Sequence, residues 1–152
     1  MASSKKLTKE HTKEIYGLVF LAAGVFLILC LLSYEAFDPS LTSLSPNKDI
    51  HNLGGIVGSY ISDFLYNFLG YGAYLIAVSL LLIAFNYFAL RQLQLGWMRV
   101  LAYVVGILLS AVFCHLVWHE VMIGGKLADA GGLAGWMVGS FLMKYFGTFG
   151  TY

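Results

Sequence analysis

The stretch IYGLVFLAAGVFLILCLL, residues 15–32, contains no charged residue and decides the fold class of this chain. As a helix, its 18 residues extend roughly 27 Å, close to the hydrocarbon core of a bilayer at about 30 Å. Uncharged runs recur at 70–90 and 100–118. Because backbone polar groups in lipid must be satisfied internally, each run is expected to be helical. We therefore predict an all-α, polytopic membrane protein with transmembrane helices over 15–34, 70–90 and 97–119.

The composition of the whole chain agrees with a lipid environment. Of its 152 residues, 59% are hydrophobic and 11% are charged, which is about half the charged fraction of a soluble domain. The formal net charge of +1 offers no excess that would attract nucleic acid. Cys30 and Cys114 fall inside apolar runs, where a thiol behaves as a small hydrophobe. Membrane lipid is the predicted partner of most side chains, and no nucleic acid is predicted to contact them.

The first run could also be read as a cleaved signal peptide, since four lysines precede it at positions 5, 6, 9 and 13. The sequence that follows it, Ser33-Tyr34-Glu35, lacks the small-x-small pattern of a cleavage site. The apolar stretch is also long for a signal. We therefore treat residues 15–34 as a spanning helix.

The orientation follows from the lysines and arginines near the helix ends, which collect on the cytoplasmic side. Arg91 and Arg99 flank the connection between the second and third helices, and the N-terminal tail carries the four lysines. The segment between the first two helices is net acidic, and the last segment is close to neutral. The N-terminal tail, residues 1–14, and the connection, residues 91–96, are predicted to be cytoplasmic. The segments 35–69 and 120–152 are predicted to lie outside.

The two outer segments repeat each other at an offset of 77 residues. Gly54-Gly55-Ile-Val-Gly58 matches Gly131-Gly132-Leu-Ala-Gly135, and Gly70 matches Gly147. In both copies the apolar positions follow the rhythm of one helical face, while Asp63 lies on the polar face of the first copy. We predict two amphipathic interfacial helices, arranged as two parallel repeats, each leading into the next spanning helix.

Two interpretations of the glycine motif stay open. GGxxG could be only a flexible turn in a glycine-rich membrane protein. Alternatively, Gly55 and Gly58 permit a tight approach of the outer segment to the helix ends, which a side chain would block. The repeat also predicts that an apolar run follows Gly147, as one follows Gly70. We therefore expect a fourth spanning helix beyond Tyr152.

The sequence offers few residues that could carry chemistry. His115 and His119 are spaced as i, i+4 with Glu120 beside them, a geometry that can hold a divalent metal. A zincin would need Glu at position 116, where Leu116 stands, and no third ligand is placed. Amphipathic histidines at a membrane edge are the preferred interpretation. Gly124-Gly125-Lys126 lacks the flanking residues of a phosphate loop. No catalytic residue, cofactor or metal is predicted.

Several motifs in the first half resemble those of one protein family. They are Leu32-Ser33-Tyr34, Asp38-Pro39-Ser40, the segment from His51 to Gly58, Asp63-Phe64-Leu65, and the segment from Phe68 to Leu75. With the second copy from Gly131 to Gly150, they resemble the N-terminal membrane domain of the FtsK/SpoIIIE family of bacterial DNA translocases.

The resemblance implies a membrane anchor in the bacterial inner membrane at the division septum. The family's motor is a hexamer, so a homo-oligomer is implied, with other division proteins as partners. The ATPase that pumps DNA is not in these residues, and the family domain has four spanning helices where three appear. A free-standing septal membrane scaffold fits the sequence equally well. A small transporter or channel subunit would be favoured by a polar stripe through a helix, which the sequence lacks.

Overall fold

The computed structural model describes residues 2–43, 49–89 and 97–151, with side chains from residue 11 to residue 147 of these ranges. Its elements, in chain order, are α1 (Ala2–Leu32), α2 (Gly55–Leu69), a 3-10 turn (Gly70–Gly72), α3 (Ala73–Phe88), α4 (Trp97–Trp118), β1 (Glu120–Ile123), β2 (Lys126–Asp129) and α5 (Gly132–Thr151). The chain is mainly helical, which confirms the predicted fold class. The predicted loop 91–96, with Arg91, lies outside the described residues.

Among the described residues, three helical segments are long and apolar enough to cross a membrane: His11–Leu32, Gly55–Phe88 and Trp97–Trp118. The second has 34 residues, well above the roughly 20 that a span needs, because α2 runs on into α3. Gly70 separates the two with φ +57° and ψ −134°. The interfacial helix and the spanning helix of the first repeat are thus two elements joined at a glycine.

α1 and α3 pack along each other through small residues. A side chain at Gly24 would approach Leu81 to 2.7 Å, and one at Gly17 would approach Tyr87 to 3.2 Å. On the facing helix Ala77 and Ala84 are completely buried. Helices in lipid associate by such close contacts, because water does not drive their apolar faces together.

The buried core lies at one end of the molecule, where the ends of α1 and α4 meet α2, the start of α3 and the hairpin. Its members are Leu27, Leu31, Tyr66, Leu69, Ala73, Ala77, Ala111 and Ile123. Elsewhere large apolar side chains face outward: Ile15 and Leu109 are each 62% exposed. Outward apolar faces match a protein whose solvent is lipid.

A β-hairpin, which was not predicted from the sequence, follows α4. β1 and β2 pair in antiparallel register from Glu120 with Asp129 to Ile123 with Lys126. Gly124 and Gly125 form the turn with φ +55° and +84°, as a two-residue hairpin requires. The Gly-Gly-Lys sequence is therefore a hairpin turn, and the segment 120–152 is not wholly helical.

Candidate functional site

The first glycine motif lies against the C-terminal end of α1. A Cβ atom at Gly54 would overlap the sulfur of Cys30. A Cβ at Gly58 would overlap the Asn52 amide and approach the same sulfur to 2.8 Å. Cys30 is fully buried by this contact. We call Asn52 and residues 54–58, seated on α1, the first docking unit.

Asn52 joins three parts of this docking unit. Its Nδ2 donates to the carbonyl oxygen of Cys30 at 2.9 Å, and its Oδ1 accepts from the backbone N–H of Gly54 at 2.9 Å. Nδ2 also lies 3.3 Å from Oγ of Ser62 on α2. The Cys30 carbonyl belongs to the last turn of α1, where helical partners run out, so the amide satisfies a group that would otherwise be orphaned.

Asp38 holds the segment that enters the docking unit. Its side chain has no exposed surface. The backbone N–H groups of His51 and Asn52 donate to the carboxylate at 3.1 and 2.8 Å. A buried charge is tolerated only when it is hydrogen-bonded, and these donors supply that requirement. Asp38 and Asn52 were not among the predicted site residues.

Asp63 is also fully buried. Its carboxylate accepts from the Tyr34 hydroxyl at 3.0 Å, from Thr42 N and Oγ1 at 3.0 and 2.8 Å, and from Asn67 Nδ2 at 2.8 Å. Burial, and then the negative charge of Asp63, raises the pKa of the Tyr34 phenol above its usual range. The phenol therefore remains a donor, and Asp63 ties α2 to the loop that precedes it.

The polar face of α2 is accordingly packed inside the protein. Ser59, Ser62 and Asp63 have no exposed surface, whereas Val57 and Phe64 are 62% and 54% exposed. An interfacial helix on an open surface would turn its polar face to water. Here that face binds α1 and the loop, and the apolar face is exposed.

The second glycine motif lies against α4 in the same way. A Cβ at Gly131 or Gly135 would overlap the carbonyl oxygen of Ala111. Asp129 Oδ1 accepts a hydrogen bond from the backbone N–H of Gly131 at 2.9 Å. Asp129 Oδ2 lies 2.7 Å from Nδ1 of His115. Because a carboxylate only accepts, the imidazole donates. We call Asp129 and residues 131–135, seated on α4, the second docking unit.

Equivalent glycines of the two repeats share a left-handed backbone. Gly55 and Gly132 have φ +63° and +62°, and Gly70 and Gly147 have φ +57° and +67°. A Cβ at Gly55 would have no atom within 4 Å. The expectation that Gly55 permits close packing is therefore wrong; its role is conformational, whereas Gly58 is the residue that needs the space.

The two repeats touch each other at Gly70 and Gly132. The Tyr71 backbone N–H donates to the carbonyl oxygen of Ala130 at 2.9 Å. A Cβ at Gly70 would overlap that same oxygen, and one at Gly132 would lie 2.6 Å from the Gly70 nitrogen. The repeats thus form one body at this end of the molecule, with the hairpin adding a bond from Ala36 N to Gly124 O at 3.0 Å.

The two histidines that suggested a metal have other surroundings. His115 is buried and bonded to Asp129, and the His119 ring stacks on it with centroids 5.4 Å apart. His119 has φ +49°, and its carbonyl oxygen accepts from Ala130 N at 2.9 Å. Neither belongs to a group of three metal-binding side chains within the part of the chain that the structure describes.

These features define a polytopic α-helical membrane protein in which two repeated units dock a glycine-framed helix onto the preceding spanning helix. The family model described as the 4TM region of DNA translocase FtsK/SpoIIIE matches residues 9–152. The chain belongs to this family, which confirms the resemblance seen in its motifs.

Relatives in several bacteria carry the same region. DNA translocase FtsK 1 of Neisseria meningitidis serogroup A is 30% identical over 162 residues, covering 97% of this chain and 20% of the relative. DNA translocase FtsK of Pseudomonas syringae pv. syringae is 30% identical over 139 residues, covering 87% of this chain and 17% of the relative. The chain spans about a fifth of the length of these relatives. No solved structure gives a significant match.

The match defines these residues as the transmembrane region of an FtsK-type protein of the bacterial inner membrane. No enzymatic activity is implied for this part of such a protein.

Proposed function

We propose that this region anchors a DNA translocase in the bacterial inner membrane, directs it to the division septum and thereby couples cell division to chromosome segregation. The observation that carries the proposal is the family match over residues 9–152. The region contributes position, and the parent protein contributes ATP-driven DNA movement. Its partners are copies of itself, a hexamer by resemblance, together with membrane lipid and other division proteins.

The proposed topology places the N-terminus in the cytoplasm and both docking units outside. Four lysines in the tail, with Arg91 and Arg99, support this side assignment, because the segment 35–69 is net acidic. The docking units lie at the end of the molecule where α1 ends and α4 ends. This shared end supports placing both units on the same side of the membrane.

We also propose that a fourth spanning helix follows α5 and packs on α4. Gly147 interrupts α5 with φ +67° and ψ +170°, and the backbone is helical again up to Thr151. Gly70 separates α2 from α3 in the same way. In the first repeat, α3 packs along α1. The corresponding face of α4 is uncovered among the described residues, because Leu101 is 51% exposed and a Cβ at Gly106 would meet no atom within 4 Å. The fourth helix would cover this face.

The septal role is tested in the full-length protein that contains these residues, carrying a fluorescent protein at its N-terminus in dividing cells of its own organism. In a second strain residues 1–152 are replaced by four unrelated transmembrane helices of matched length. We expect a septal band from the first protein and an even membrane signal from the second. A septal band of equal intensity from the replaced form would contradict the proposal.

A further inference from the structure

A second cluster of side chains lies beside the first docking unit and takes no part in holding its glycines. Glu35 and Asp38 lie in the segment that follows α1, and His51 directly precedes Asn52. One ligand atom from each lies within 4.8 Å of the others. Among the described residues, this is the one group of three or more potential metal ligands that meets this distance.

Both distances from the imidazole to the carboxylates fit a metal ion, and the two carboxylate oxygens lie within 4.8 Å of each other. His51 Nδ1 lies 3.3 Å from Glu35 Oε2 and 3.3 Å from Asp38 Oδ1. Ligands about 2.0–2.1 Å from a tetrahedral zinc ion are separated from each other by about 3.3–3.4 Å. One imidazole with two carboxylate oxygens is also a donor set that zinc accepts, whereas Mg²⁺ and Ca²⁺ prefer oxygen alone.

The charge of the cluster also favours binding of a metal cation. Two carboxylates converge on a single imidazole nitrogen, which carries at most one proton and lies equally far from both. With neutral His51 and ionised acids, the three side chains together carry two negative charges. A divalent ion bound by all three groups would neutralise them.

The surroundings supply both support and access. The second oxygen of Asp38 accepts from Asn52 N at 2.8 Å, which orients the carboxylate as outer-shell partners of metal ligands do. Asp38 is fully buried, while the side chains of Glu35 and His51 are 38% and 55% exposed. A cavity of about 440 Å³, lined by both of these residues together with Gly124 and Gly125, opens next to them. A water molecule could therefore complete the coordination.

We propose that Glu35, Asp38 and His51 form a zinc site at the end of the molecule that carries the docking units. In the proposed topology this is the outer side. The ion would clamp the turn after α1 to the residue that precedes Asn52, and so reinforce the first docking unit. The three side chains bind as two carboxylates and one imidazole deprotonated at Nδ1, and binding displaces any proton held there.

The test uses the purified protein in nanodiscs with an affinity tag that contains no histidine. After metal is removed with a chelator, Zn²⁺ is titrated by calorimetry and the bound metal is counted by mass spectrometry. We expect one zinc per chain. Loss of an outer-shell partner already weakens metal sites about 10–100-fold, so Glu35→Gln and His51→Gln should each weaken binding at least about tenfold. Mg²⁺ should not compete.

Two matched controls separate this site from others. His11 and Glu14 form an exposed pair 3.4 Å apart with no third ligand in the described group, so His11→Gln should leave the affinity unchanged. His119→Asn, at an exposed histidine with φ +49°, a backbone conformation that Asn tolerates, should also bind normally. Binding that survives both Glu35→Gln and His51→Gln, or that is lost in His119→Asn, would overturn the proposal, as would a wild-type protein that binds no zinc.

A measurement on the unaltered protein covers the case in which a variant misfolds, as circular dichroism would reveal. X-ray absorption at the zinc edge should show one imidazole among oxygen ligands at about 2.0–2.1 Å. Two imidazoles would assign the metal to His115 and His119 instead, and a sulfur ligand would assign it to a cysteine. Either spectrum would refute the site.

Discussion

Asn52 and Asp129, which are 77 residues apart, make the same contact in the two repeats. Each accepts a hydrogen bond at 2.9 Å from the backbone N–H of the glycine two residues later. Each also binds the preceding spanning helix, Asn52 through the Cys30 carbonyl and Asp129 through the His115 ring. The repeat is therefore a repeat of a docking geometry as well as of glycines.

The first prediction concerns Asn52. Asn52→Ala removes the donor to Cys30 O and the acceptor for Gly54 N, which leaves buried backbone groups without partners at about 1–3 kcal/mol. Thermal unfolding in detergent should show a clear loss of stability. Asn86→Ala is the matched control, because the Asn86 amide bonds only to Leu82 O of its own helix at 2.7 Å in the contacts that the structure describes. Equal losses in the two variants would contradict the role of Asn52.

The second prediction separates space from helix propensity. Gly58→Ala places a methyl group against Asn52 and Cys30, and such overpacking costs about 1–3 kcal/mol. Gly106→Ala lies on α4, where the added methyl meets no atom within 4 Å, so the stability of a protein made of residues 1–152 alone should be unchanged or slightly raised. The measurement is the unfolding midpoint of each variant in the same detergent. A Gly106 variant less stable than the Gly58 variant would argue against the docking geometry.

The third prediction tests the conformational role of Gly55. At φ +63° an L-residue costs roughly 1–2 kcal/mol, and a β-branched side chain costs more than Asn, which tolerates this region. Stability should therefore fall in the order Gly, Asn, Ala, Val at position 55. If the loss instead follows side-chain volume alone, with Asn worse than Ala, then packing and not the backbone explains this glycine.

The fourth prediction concerns the His115 and Asp129 pair. Asp129→Asn keeps an oxygen for Gly131 N but replaces the charged acceptor of His115, whereas Asp129→Ala removes both bonds. A hydrogen bond to a charged group contributes about 1.5–3 kcal/mol. We expect both variants to lose stability, with the larger loss in Asp129→Ala. The second docking unit would be misassigned if the alanine variant unfolds at the wild-type temperature.

The spanning helices and the repeat were predictable, because the length of an apolar run and the spacing of recurring glycines can be read directly from the sequence. The hairpin was also readable in principle, since Gly124-Gly125 stands between two short segments of strand length. Asp38, Asn52 and Asp129 were not, because their partners are other segments of the folded chain. The local sequence around a polar residue beside a glycine motif is the same whether that residue faces water or binds a helix end.

The packing role expected for Gly55 failed for a related reason. GGxxG contains glycines needed for space and glycines needed for a positive φ, and the letters do not distinguish them. Gly58 has Asn52 and Cys30 beside it, while Gly55 has open space and a left-handed backbone. Only the placement of α1 separates the two requirements.

The most direct test of the account is the side of the membrane on which the docking units lie. Single cysteines replace Leu41, Leu127 or Gln94 in a protein that carries Cys30→Ser and Cys114→Ser. Leu41, near the first repeat, is 64% exposed, and Leu127, in the second, is 59% exposed. Gln94 lies outside the described residues. In intact cells a membrane-impermeant thiol reagent should label positions 41 and 127, and position 94 only after permeabilisation. Labelling of position 94 alone, or of only one of the two outer positions, would contradict a molecule that holds both docking units together outside the membrane.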